Sequence, residues 1–234
     1  MKRNRYFLLV LFFVMLTGFV GCADDTQQAK IEDAKIAIDN RNFSKAISIL
    51  EDGSFNLQND SEAASLLASA YMGKAGLNII KMIEEASKAA SAGATGTFTE
   101  FSQFFSLSTA ELNTQQNDMQ AAVALLSGLQ NRTPEQNLQL AVAATADIIV
   151  TIGADLTNGF QSNGQPNSPP PSTIPPETLT RMTNDVGFVV SGIAGSGIAN
   201  EDLTKDITTI QSGLTGPNGM VTTTSLNSYL ATIH

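Results

Sequence analysis

The chain has a single cysteine, a single histidine and no tryptophan among its 234 residues. One cysteine cannot close an internal disulfide. Zinc sites built from Cys and His need several such residues, so no metal is expected. A Ser-His-Asp triad would have to use His234, the last residue, where chains usually fray. Phosphate loops are also missing. Met72-Gly73-Lys74-Ala75 has Ala75 where Ser or Thr belongs, and the stretch from Gly195 to Asn200 lacks the third glycine of a dinucleotide fingerprint. The sequence therefore predicts no cofactor, no catalytic residue and no enzyme.

Positive charge is scarce too. Thirteen Lys and Arg stand against 22 Asp and Glu, for a net −9. Three of the positive charges (Lys2, Arg3 and Arg5) lie in the first 21 residues, and removing them takes the remainder from −9 to −12. Such a surface repels phosphate backbones, so no nucleic-acid partner is expected. The chain is nevertheless 42% hydrophobic, which is enough to bury a core and argues against disorder. That core has to come from Leu, Ile, Val, Ala, Met and Phe.

The N-terminus has a processing pattern. Met1–Arg5 is basic, Tyr6–Leu16 is a nearly unbroken apolar run, and Thr17-Gly18-Phe19-Val20-Gly21 leads to Cys22. A basic region, a short apolar region and a small residue before the cleavage point make a secretory signal. The run is shorter than the roughly 20 residues of a membrane span. Phe19-Val20-Gly21-Cys22 resembles the lipobox of bacterial lipoproteins, with Phe19 where Leu is commonest. The resemblance implies removal of residues 1–21, lipid on Cys22, and attachment to a membrane through that lipid. Several acyl chains make such an anchor stable, since each buried CH2 contributes about 0.8 kcal/mol. Ala23, not Asp, follows the cysteine. By the Gram-negative sorting pattern this implies the outer membrane, facing the periplasm.

Residues 22–30 read as a lipidated polar tether, and helical periodicity starts at Ile31. Ile31, Ala34 and Ile38 fall at i, i+3, i+7. A second helix is expected over Phe43–Glu51, and a third from Asp60 or Ser61 as N-cap through to Ile83. Ala34, Phe43 and Ala46 stand where the tetratricopeptide repeat has its small, aromatic and small residues. Ala68 comes 34 residues after Ala34, one period of that repeat. The region resembles that family over about 50 residues, with Leu77 departing from it where an aromatic is expected. A fainter internal echo matches Asn42–Leu50 with Asn117–Leu126, and Leu66–Leu77 with Gln139–Val150. It predicts two related helical hairpins and sets Lys74 against Asp147 as a candidate ion pair.

Thr133-Pro134-Glu135 marks another helix start, followed by an apolar stretch from Leu138 to Ile152. Residues 161–176, with Pro169-Pro170-Pro171 and Pro175-Pro176, read as a Pro-rich loop. Beyond it, helices are expected over Thr178–Ile193, Glu201–Ser212 and Thr224–Ile233. Val186–Ala199 carries a row of small residues, Gly187, Ser191 and Gly195, and is too short to span a membrane. The fold class expected is all-α: an irregular antiparallel helical array with tetratricopeptide-like hairpins. Its helical-repeat region covers residues 31–160, and the helices of 177–234 pack on the same domain.

Two functional readings follow. Helical hairpin arrays present concave protein-binding surfaces, so the first is a non-enzymatic interaction or scaffold module with an envelope protein as partner. The second is a lipoprotein that binds an apolar ligand or solute between its hairpins. For either, Phe98, Phe101, Phe104 and Phe105, with Tyr71, are the candidate groove residues; helically spaced aromatics equally suit a core.

Overall fold

A computed structural model describes residues 24–77, 98, 102, 103, 105, 108–197 and 211–233. They are helical, with no strand among them. Helix α1 spans Asp24–Asp39 and buries Ile31, Ala34 and Ala37. It begins well before the expected start, so residues 24–30 are helix rather than tether. Residues 26–29 are exposed and the stretch is almost wholly polar, so apolar spacing gives no sign of it. Its Gln and Lys residues are nonetheless sound helix formers, and Gln28 donates one turn ahead to Glu32 at 3.2 Å.

Arg41, at φ 56°, reverses the chain into α2, Phe43–Leu50, which Asn42 caps by accepting from the Lys45 amide. Asp60 caps α3, Ser61–Lys74, through the Ala63 amide at 2.9 Å. α1, α2 and α3 run antiparallel in turn. They approach closely because Ala37, Ala46 and Ala70 meet between them. Gly73 of α3 lies directly under the Phe43 ring, where a Cβ would collide. The sequence extends α3 to Ile83, but α3 ends at Lys74. Gly76 turns left-handed there at φ 95°, and residues from 78 lie outside the described set.

α4 spans Thr109–Ser127 and α5 spans Pro134–Thr151. α5 starts on a full capping box: Thr133 accepts from Gln136, Gln136 returns the bond, and Pro134 fills the first turn where no amide is needed. α5 then widens into a π turn, Ile152–Leu156. Leu140, Ala141, Ala143, Ala144, Ile148, Ile149 and Val150 are all buried, so α5 is covered nearly all round. This accounts for the apolar run seen in the sequence. Pro134–Leu156 is long and apolar enough to cross a membrane by length and composition, and here it is the central helix of a core.

α6, Pro176–Ser196, packs antiparallel on α5. Residues 161–175 between them do not form a free spacer. Ser102 Oγ donates to the Gly164 carbonyl at 2.6 Å, Ser168 Oγ donates to that of Thr157 at 2.9 Å, and Ile174 is buried in the core. Of the small residues on α6, Gly187 faces open space, whereas Gly192 and Gly195 press on Asn137 and Ala141 of α5. α7, Thr223–Ile233, adds Leu226, Tyr229 and Leu230 to the same core. Residues 201–210 of the helix expected over Glu201–Ser212 lie outside the described set, and its end, 211–212, is helical.

Candidate functional site

Of the candidate aromatics, Phe98 and Phe105 do not line an open groove. They are 2% and 5% exposed and belong to the main core. Phe98 meets Phe160 and Tyr229 edge to face, with ring centres 6.1 and 6.3 Å apart. Phe101, Phe104 and Cys22 lie outside the described residues. Beside Phe98 is a cavity of about 20 Å³, lined by Thr145, Ile149, Val189, Leu214 and Tyr229 among others. That is room for about one water. Tyr71 is half-buried on α3, where the small core around Ile31, Leu50, Phe55 and Leu67 meets the main one. Its hydroxyl donates to Glu51, and burial together with that carboxylate pushes the phenol up to about 12. It is held as a packing residue.

The polar chemistry of the domain is concentrated elsewhere. Asp147, Thr151 and Asp155 recur every fourth residue along the end of α5 and its π turn. Arg181 and Asp185 are one turn apart on α6, facing them. Arg181 Nη2 donates to Asp155 Oδ2 at 2.8 Å and to Thr151 Oγ1 at 3.1 Å. Its Nε is 3.9 Å from Asp147 Oδ2, outside hydrogen-bonding range. From α4, Gln116 Nε2 donates to Asp155 at 3.0 Å and to Thr151 at 3.2 Å. One guanidinium is thus the single cation beside three carboxyls, and it hydrogen-bonds Asp155 alone among them.

Asp147 and Asp185 are 1% and 2% exposed. Burial pushes both carboxyls above the ordinary carboxylate range, and for Asp185 the neighbouring Asp147 charge pushes the same way. Paired carboxylates of this kind serve general acid–base chemistry in some enzymes. Here their burial keeps a substrate away from them. Among the described residues no cluster of three or more His, Cys, Asp or Glu is arranged to hold a metal ion.

The expected Lys74–Asp147 pair does not form. Lys74 binds Asp118 of α4 at 2.7 Å, while Asp147 turns inward to α6. Arg181 and Asp185 were not singled out by sequence reasoning. The available signal was Asp185 lying on the apolar face of α6 with Met182, Val186, Val189 and Ile193. A charge on that face has to be buried.

No protein-family model matches the chain, and neither a curated protein nor a solved structure matches it.

Proposed function

We propose that this protein is a lipid-anchored, non-enzymatic interaction module of a bacterial envelope, held by acyl chains on Cys22 at the outer membrane and facing the periplasm. The observation that carries the reading is Phe19-Val20-Gly21-Cys22. It follows a basic segment and a short apolar run, and it contains the only cysteine of the chain.

The fold supports an interaction role. Among the described residues, α2–α3 and α4–α5 are antiparallel hairpins, and α3 and α5 lie side by side in the same direction. Gln136 donates to the Ser61 carbonyl, and Gln139 to that of Ser65. Stacking of this kind is how helical repeats build extended binding faces. A cavity of about 20 Å³ favours recognition at the surface over an enclosed solute. The burial of the Asp147–Asp185 pair supports a role without catalysis.

In-cell crosslinking followed by membrane purification tests this, with Cys22→Ala as control. Wild type is expected in the membrane fraction with a defined envelope protein attached, and Cys22→Ala is expected in the soluble fraction without it. A mutant that stays with the membranes removes the anchor. A wild type that captures no envelope protein removes the interaction role.

A further inference from the structure

The α5–α6 interface carries more acid than its single cation can neutralise. Asp147 and Asp185 sit on facing helices, 1% and 2% exposed, close enough for each carboxyl to act on the other. A hydrogen bond between two carboxyls needs a proton on one of them, since an ionised carboxylate only accepts. Asp147 Oδ1 and Asp185 Oδ2 are buried with no hydrogen-bond partner. Arg181 hydrogen-bonds neither: its Nη2 is committed to Asp155 and Thr151, and its Nε, 3.9 Å from Asp147 Oδ2, makes no hydrogen bond. Two bare charges side by side in apolar surroundings are costly, and such pairs usually keep one proton.

We infer that Asp147 and Asp185 share a single proton across the α5–α6 interface, and that stripping it destabilises the packing of α6 on α5. Among the described residues, the charged groups facing the pair are Arg181 on α6 and Asp155 on the π turn. α4 contributes the neutral Gln116, since its Asp118 is turned to Lys74 of α3. The ionisable group of α7 is the buried Tyr229 phenol, raised by burial and so neutral over the same range. Phe98, Ser102, Gln103 and Phe105 carry no charge.

The sign follows from proton counting. In the unfolded chain both aspartates ionise near pH 4, at about their ordinary value. The folded pair holds its proton to higher pH, because burial and mutual repulsion raise it. Over that window the native state binds one more proton, so stability falls as pH rises. It is full below about pH 4 and lost as the folded pair gives up its proton.

The test is denaturation of the purified full chain in mild detergent, as wild type and as Asp185→Asn. Asparagine keeps a donor for Asp147 and cannot ionise. From about pH 5 to about pH 8 the unfolding constant of wild type is expected to rise by about tenfold per pH unit relative to the variant. Parallel pH curves overturn the proposal. Infrared spectra of wild type with isotope-labelled aspartate give a second readout that needs no variant. A protonated carboxyl band present at neutral pH and lost on alkaline titration is expected; its absence at neutral pH overturns the proposal as well.

Discussion

Among the described residues, the first three helices and the last four are held together by different means. α1, α2 and α3 cross on alanines, and their charges stay outside. Lys35 reaches Glu32 at 3.0 Å and Glu62 at 2.9 Å, all partly in water. Around α5 the packing is large: Leu112, Met119, Leu140, Ile152, Met182 and Leu226 are completely enclosed. There two carboxyls are inside, on Asp147 and Asp185, with the partly exposed Arg181 beside them. An ion in water loses little when its partner goes, because solvent takes over. A buried ion has no substitute. Substitutions of similar chemistry in the two regions should therefore differ widely in effect.

The largest contrast is expected at Arg181. Arg181→Met leaves Asp147, Asp155 and Asp185 without their cation, and about 3–5 kcal/mol of stability should be lost in urea denaturation at neutral pH. The loss should shrink in acid, where the carboxyls protonate. A loss that is the same at both pH values would break the assignment. Gly192→Ala comes next. Its Cβ would lie 2.5 Å from the Asn137 carbonyl oxygen, so overpacking should cost about 1–3 kcal/mol. Gly187→Ala on the same helix meets open space and should be neutral or stabilising, which separates close approach from helix propensity. The smallest effect belongs to Lys35→Ala in α1, whose denaturation midpoint should not move measurably. A shift as large as that of Arg181→Met would erase the contrast between the two regions.

What the sequence reveals follows the same division. Helix starts are legible where one side chain caps them, as at Asp60 and Thr133, because the capping chemistry is local. The all-α class is legible from the apolar spacing of Ile31, Ala34 and Ile38. The first turns of α1 are not, since exposed polar residues leave no periodic trace. The end of α3 is also hidden: Leu77 and the apolar residues beyond it continue the pattern, and only the left-handed Gly76 stops it. The fastening of residues 161–175 depends on Ser102, far away in the chain. The polar cluster is least visible of all. Asp147 stands out in an apolar run, but its partner is decided by how α6 docks. The sequence echo pointed to Lys74, which is taken by Asp118. Aromatic spacing marked Phe98 and Phe105 without distinguishing groove from core.

One feature of α1 bears on how the protein would meet its partners. The helix begins at Asp24, two residues past Cys22. If acyl chains hold that cysteine, the leash between bilayer and folded body is about 7 Å at full stretch. The body then patrols a thin layer above the lipid rather than a sphere of solution. A partner embedded in the same membrane is encountered at a fixed height and a high local concentration. A partner anchored on an opposing membrane has to bring its own reach.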